Sequence, residues 1–310
     1  MTRIYHFIVF SAFAVWCSCN NCSGTLSFQF HQHRSAASPQ PPSNGRFITT
    51  QNSAKVPTFL SSTTSSNTEM KESASIPIYN NVKAVLFDVD GTIADSGKLG
   101  FEATLVVLEN NQYGKISYEE YCNGCIYVTP DRLARHVGLT PEKDSTEFYN
   151  VGQRLGQEFD NLYIDLVSIE TAAFFPGILE LLNYIPSDIH IGLLTNAAGR
   201  YAHGVIKAND MTTDGSFYQR FGSILGADDV PKPKPYGDGL HQLCSVLQVK
   251  PTNCVYIGDS PTDAMAATAA GMPCIGVTWG AHSADKLLPH VTHLCHTVDE
   301  LAAMLPQTLE

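Results

Sequence analysis

No aspartate or glutamate stands ahead of Glu69 in this chain of 310 residues, although Arg3, Arg34, Arg46 and Lys55 do. From Glu69 onward the imbalance reverses. Four of the 19 basic residues have been passed, so 15 bases face all 30 acids. A body this acidic lacks the positive surface that holds nucleic acid or an anionic membrane, and excludes both as the main partner. Long apolar runs are also missing. The run over residues 4–16 is too short to span a bilayer. A disulfide framework is absent too: there are nine cysteines, an odd number, and Cys17, Cys19 and Cys22 crowd the first segment. Cys122, Cys125, Cys244, Cys254, Cys274 and Cys295 remain. Cys254 and Cys274 lie in apolar strand-like runs and read as core thiols. Cys122-Asn123-Gly124-Cys125 has the spacing of a zinc or redox pair, but no second Cys/His pair lies near it, so free thiols are expected. No internal repeat is evident. The hydrophobic fraction, 44%, is ordinary for a globular protein.

The acid-free segment has two parts. Arg3 precedes the apolar run, which only His6 and Ser11 interrupt, and small residues and cysteines follow to Gly24. Residues 1–24 therefore read as a signal peptide. Residues 25–80 are rich in Ser, Thr, Pro, Asn and Gln, the composition of a transit-like, disordered segment. Signal followed by transit resembles the two-part leaders of secondary plastids. Plastid delivery is the expectation, with a mitochondrion or secretion as alternatives, and no membrane contact is expected of the mature form.

What is present after the leader is a set of four short motifs. Phe87-Asp88-Val89-Asp90-Gly91-Thr92 ends an apolar run. Its two carboxylates are two residues apart, so at a strand's end they point the same way. Two such carboxylates repel unless a cation or a proton lies between them. Gly192-Leu193-Leu194-Thr195-Asn196 is an apolar strand that ends in a hydroxyl and an amide. Pro231-Lys232-Pro233-Lys234-Pro235 is a stiff loop bearing two lysines. Val255-Tyr256-Ile257-Gly258-Asp259-Ser260-Pro261-Thr262-Asp263 is a strand, a Gly-Asp turn, and a second Asp one helical turn on. Together they supply a carboxylate nucleophile, an acid/base, a hydroxyl and a lysine for phosphate, and carboxylates for a hard cation.

Between the motifs the pattern is α/β. Residues 82–87, 189–194, 223–225, 254–257 and 274–277 read as buried strands, with helices over 178–185, 199–209, 239–247 and 262–270. That alternation predicts a doubly wound parallel sheet with helices on both faces. Residues 97–175 read instead as helical. Phe148, Val151, Leu155, Phe159, Leu162 and Leu166 recur at steps of three or four, after Asp144 with Glu147 three residues on. Phe101, Leu105 and Leu108 mark an earlier helix, and residues 130–137 a shorter one. The expected organisation is a core of residues 81–96 and 176–310, with a helical cap, 97–175, inserted after the first motif strand and hinged near Ser96-Gly97 and Phe175-Pro176-Gly177.

In order and spacing the four motifs resemble those of the haloacid dehalogenase superfamily of phosphohydrolases, over residues 81–305. The resemblance implies a Rossmann-like core and a Mg²⁺-dependent phosphatase working through an aspartyl-phosphate on a small phosphorylated metabolite. Asp88 would be the nucleophile and Asp90 the acid/base. Asp90 also separates this chain from the dehalogenases, which lack an acid there. Thr195 and Asn196 would bind phosphate, through the hydroxyl and the backbone N–H. Lys234, rather than Lys232, would neutralise phosphate and nucleophile. The metal would be held by Asp88, the Asp90 carbonyl, Asp259 and Asp263, the last either directly or through water. Gly91 and Thr92 would shape the turn, the threonine by hydrogen bonding.

Residues 258–263, Ala269-Ala270-Gly271-Met272 and Gly276-Val277-Thr278-Trp279-Gly280 look most like phosphoglycolate phosphatases. A sugar-phosphate or pyrophosphate phosphatase and a β-phosphoglucomutase-like phosphosugar mutase are the alternatives. The mutases usually carry Glu-Asp where this chain has Gly258-Asp259. In the cap, Arg132, Arg135, His136 and Arg154 could pair with a second substrate anion, although a solvated helix face is the commoner fate of such residues. Arg132 is singled out because it lies near the middle of the cap. Oligomeric state is not legible.

Overall fold

The computed structural model describes Tyr79 and residues 81–308. The leader readings, apart from Tyr79, lie outside the described residues. Six parallel strands form one sheet in the order β3-β2-β1-β4-β5-β6. They are β1 (Ala84–Phe87), β2 (His190–Leu194), β3 (Phe221–Leu225), β4 (Cys254–Gly258), β5 (Cys274–Val277) and β6 (His293–Cys295). The chain builds outward from β1 to β3, then crosses back to lay β4 on the other side of β1. Open sheets bind ligands where strand order reverses, outside the carboxyl ends of the strands. Here that point lies between β1 and β4.

Strand side chains alternate between faces, and both faces of β1 are buried. Val85 and Phe87 join one apolar cluster with Ile178, Leu181 and Leu182 of α5 (Ile178–Tyr184), Val205 and Ile206 of α6 (Gly199–Asn209), and Leu301 of α11 (Val298–Met304). Ala84 and Leu86 join another with Leu240 and Leu243 of α8 (Asp238–Val246) and Ala264 and Ala267 of α9 (Pro261–Ala270). Doubly covered strands carry continuous apolar runs. This is why the strands were legible as short hydrophobic blocks. β6, α11 and two four-residue helices, α7 (Ser216–Gln219) and α10 (Ala284–Leu287), were not: β6 has three residues and opens on His293, and each of the two short helices is a single turn.

Four helices separate β1 from β2: α1 (Gly97–Asn110), α2 (Tyr118–Gly124), α3 (Thr129–His136) and α4 (Ser145–Asp165). The unexpected one, α2, begins with a capping box in which Ser117 and Glu120 satisfy each other's backbone N–H. Asp144 caps α4 by accepting from the N–H of Glu147 at 2.8 Å. The buried face of α4 is Phe148, Gly152, Leu155, Gly156, Phe159 and Tyr163. It overlaps the expected stripe, whose Val151, Leu162 and Leu166 are partly buried against the same core, and extends to two glycines that let α3 come close. A Cβ at Gly152 would lie 2.7 Å from the carbonyl oxygen of Pro130.

The two linkers to these helices run side by side. Asp95 N–H donates to Ala173 O at 2.8 Å, and Phe175 N–H to Ile93 O at 3.0 Å. Buried Asn209, at the end of α6, ties the return linker down through Phe174 N–H and Ala172 O. Among the described residues no helix is long and apolar enough to cross a membrane.

Candidate active site

Register places the site. Phe87 pairs with Leu193 on one side and Ile257 on the other. The residues just beyond the three strand ends therefore emerge at one edge: Asp88, Thr195 and Asp259. Asp88, Asp259 and Asp263 are buried, and each offers an oxygen within 4.8 Å of the others. Three carboxylates so close in a low-dielectric site oppose one another's ionisation. Burial first, then the charge of Asp263, pushes the Asp259 carboxyl up to about 7. Asp88 is raised well above the ordinary range by the same two causes, with Lys234 pulling the other way.

Lys234 lies 2.7 Å from Oδ1 of both Asp88 and Asp263, with its side chain 3% exposed. Burial works against its ammonium, but Asp263 and Asp88 together hold its pKa above the ordinary value. Lys232 is exposed and sits over the ring of Tyr236. The side chain of Asn196 has a task the sequence did not disclose. Its amide accepts from Lys234 N–H and donates to Lys234 O, each at 3.0 Å, and so clamps the lysine's backbone. Asp263 spends both oxygens inside the protein, Oδ1 on Lys234 and Tyr256, Oδ2 on the N–H of Ser260. Of the two positions left open for it, contact through water suits this arrangement.

Asp259 is seated by close backbone. A Cβ at Gly280 would lie 2.2 Å from its Oδ2, and one at Gly91, where φ is +74°, would lie 2.4 Å away. Ala281 N–H donates to the same oxygen at 2.5 Å. The donor set suits a hard divalent cation: carboxylate oxygens in excess of positive charge, with room kept by glycines. Asp88 and Asp259 face the cavity that such an ion would share with substrate.

Asp90 is held by hydroxyls. Its Oδ1 accepts from Ser96 at 2.5 Å, Tyr201 at 2.7 Å and Tyr163 at 2.9 Å, and its Oδ2 accepts from Thr195 at 3.4 Å. Thr92 helps to close the turn through its backbone: its N–H donates to Val89 O at 3.3 Å, beside those of Ile93 and Ala94 at 3.0 Å, while its buried hydroxyl has no partner among the described residues.

The cavity is walled by the inserted helices as well as the strand ends. Tyr121, Arg132, Phe159 and Tyr163 line it together with Asp88, Asp90, Thr195, Lys234 and Asp259. Arg132 is not on a solvated helix face. It is 5% exposed, its guanidinium lies 5.0 Å from the ring centre of Tyr121 and 4.7 Å from that of Phe159, and no described carboxylate forms an ion pair with it. Arg135, His136 and Arg154 are not on the cavity wall. Arg135 stacks on Tyr127, and Arg154 is exposed beside Asn111. Burial, with Arg132 nearby, lowers His136 to about 4, so it is neutral. Cys122 and Cys125 are free thiols at the cavity, both pushed up by burial, Cys125 to about 11.

Tyr163, Tyr201 and Ala281 were not legible as site residues, and Gly280, although part of a family-like segment, was not foreseen against Asp259. The tyrosines look like ordinary members of amphipathic helices, and Gly280-Ala281 lies in a loop that meets Asp259 only across the sheet's edge.

A family model of haloacid dehalogenase-like hydrolases matches residues 85–277. The chain belongs to that family. Phosphoglycolate phosphatase of Shigella boydii is 26% identical over 224 residues, covering 67% of this chain and 86% of the relative. The enzyme of that name from Salmonella typhimurium is also 26% identical, over 67% of this chain and 85% of its own length. A haloacid dehalogenase-like protein of Bacteroides fragilis superposes with a TM-score of 0.61 at 26% identity, over 71% of this chain and 99% of the other. CbbY of Rhodobacter sphaeroides, solved with xylulose-1,5-bisphosphate, has a TM-score of 0.59 at 20% identity, over 72% and 99%, and shares the fold.

Proposed function

We propose that this phosphoric monoester hydrolase acts on a small phosphorylated carboxylic acid, with 2-phosphoglycolate as the type compound, through an aspartyl-phosphate on Asp88 and with Mg²⁺. The observation that carries the reading is one cavity that holds both the Asp88–Lys234 pair and the guanidinium of Arg132, which has no ion-pair partner among the described residues. The first can receive a phosphoryl group. The second can meet another anion on the same small molecule.

An oxygen of Asp88 attacks phosphorus, and the bond to the leaving oxygen breaks as Asp90 gives that oxygen a proton. Asp90 then takes a proton from water, which attacks phosphorus and releases Asp88. Lys234 offsets the charge that gathers on phosphoryl oxygens and nucleophile, and the Thr195 hydroxyl is placed to donate to one of those oxygens. Asp88, the Asp90 carbonyl and Asp259 would hold Mg²⁺, which supplies further neutralisation of carboxylates and phosphate when bound. The mutase alternative fits less well. A Cβ at Gly258 would sit 2.3 Å from Cγ of Asp263, so the Glu usual in those enzymes would displace the Asp that holds Lys234.

Arg132→Met keeps an unbranched chain between Tyr121 and Phe159 and removes the charge. It is expected to lower kcat/KM for 2-phosphoglycolate about tenfold to a hundredfold, the worth of a charged hydrogen bond. p-Nitrophenyl phosphate, with no second anion, should change less than about threefold. Equal losses on both esters would make Arg132 a packing residue and remove the support for a carboxylate substrate.

Mg²⁺ at about a hundred times its Kd should stabilise the protein by about 2.7 kcal/mol. In a chain of this size that raises Tm by roughly 5 °C or more. Asp259→Asn should abolish the shift, and excess chelator should abolish turnover. Full activity in chelator would rule out the metal. We propose that the leader delivers the enzyme to a plastid, a reading its apolar start and acid-free composition support. A fluorescent fusion of residues 1–75 that is secreted, or enters mitochondria, would refute that placement.

A further inference from the structure

Two buried tyrosines on different helices converge on one oxygen of Asp90. Tyr163 comes from α4, among the inserted helices, and Tyr201 from the first turn of α6 on the core. Their rings stack with centroids 4.0 Å apart and planes 15° apart. They are 4% and 1% exposed. Each phenol points its hydroxyl at Asp90 and donates to it. With Ser96, they give Oδ1 three donors, at 2.5, 2.7 and 2.9 Å. A carboxylate oxygen offers about two lone-pair sites. Oδ1 is therefore saturated and has no place for a proton. Among the described residues, Oδ2 has only the long contact from Thr195.

We propose that Tyr163 and Tyr201 are positioning residues for the acid/base. By filling Oδ1 they assign the travelling proton to Oδ2, the oxygen beside the phosphate-binding Thr195. Oδ2–H gives its proton to the leaving oxygen as the P–O bond breaks, and Oδ2 takes one back from water as the new P–O bond forms and Asp88 leaves. The phenols gain and lose nothing in the cycle. Because one of them comes from an inserted helix, proton transfer also depends on α4 lying against α6. The inference rests on the acid/base reading of Asp90.

Phenylalanine keeps the stacked rings and removes only the hydroxyls. Tyr163→Phe, Tyr201→Phe and the double variant are assayed for kcat/KM, which reports through the first phosphoryl transfer. The probes are two alkyl esters, 2-phosphoglycolate and glycerol 3-phosphate, and one aryl ester, p-nitrophenyl phosphate. The alkoxides need a proton to leave, whereas p-nitrophenolate does not. The double variant, which leaves Ser96 alone on Oδ1, should lose about tenfold or more on the alkyl esters and less than about threefold on the aryl ester, within the range general acid catalysis supplies, and each single variant, with two donors left on Oδ1, should lose less. KM should hold within about twofold, since neither hydroxyl is free to touch substrate.

Asp90→Asn is the reference and should show the same alkyl-selective loss, larger. If it does and the double variant loses activity equally on all esters, or on none, the positioning role is overturned alone. If Asp90→Asn itself shows no selectivity, the acid/base reading falls and takes the proposal with it. Should the double variant fail to fold, Ser96→Ala combined with either tyrosine variant also leaves one donor on Oδ1 and carries the same comparison.

Discussion

Asp88→Asn should lower kcat by about ten-thousandfold or more, a rise of about 5 kcal/mol in the barrier. The amide is nearly isosteric with the carboxylate but is a poor nucleophile, so the first covalent step has no attacking group. The fold should not suffer. Asp88 is one of three buried carboxylates that oppose one another, and its replacement relieves part of that opposition. Lys234 keeps its other partner, Asp263, at 2.7 Å. Loss of turnover should therefore come with an unchanged or higher Tm. A variant that stays within about tenfold of the parent would show that Asp88 is not the nucleophile, since a tenfold loss is only about 1.4 kcal/mol of barrier.

Lys234→Met should be costly twice over. The ammonium is the only described cation in ion-pair contact with Asp88 and Asp263. Methionine fills much of its volume but leaves the carboxylates unpaired in a buried site. Breaking a buried pair by removing one partner typically costs about 3–5 kcal/mol. In a protein of this size that lowers Tm by about 10 °C. The unpaired carboxylates would escape part of the cost by taking up protons, and Mg²⁺ should restore part of the lost stability by supplying charge at the same place. Activity should not return with it. Transition-state charge on the phosphoryl oxygens would still lack a fixed donor, worth about a hundredfold to a thousandfold in comparable sites. Thermal melts with and without Mg²⁺, beside kinetics, separate the two effects. A metal-free variant that melts within about 2 °C of the parent would show that the lysine is not what makes three buried carboxylates tolerable.

Legibility followed burial and distance along the chain. β1, β2, β4 and β5 could be read because strands covered on both faces are compact apolar blocks between turn residues. α4 could be read as a helix from its period, together with Phe148, Leu155 and Phe159 of its buried face. Gly152 and Gly156 were missed, because they count as blanks in an apolar pattern yet admit α3 most closely. Asp88, Asp90, Thr195 and Asp259 were legible because each follows a readable strand. Tyr163 and Tyr201 were not, since nothing in a local window says that two helices, one inserted and one of the core, will meet over Asp90.

The sequence by itself determined the chemistry available at the site. Four strand-end or loop motifs, spaced by αβ units, can be brought together by a parallel sheet in only a few ways, so residue types and order define the acids, the hydroxyl and the lysine. Tertiary structure alone decided how those groups are used. It chose Lys234 over Lys232 by burying one between two carboxylates and leaving the other in solvent. It put Arg132 into the cavity wall and left Arg154 outside. It turned the side chain of Asn196 to the backbone of Lys234, and spent one oxygen of Asp90 on phenols from distant helices. The physical reason is that desolvation and hydrogen-bond partnership depend on what lies across the fold, and those neighbours are tens of residues away in sequence.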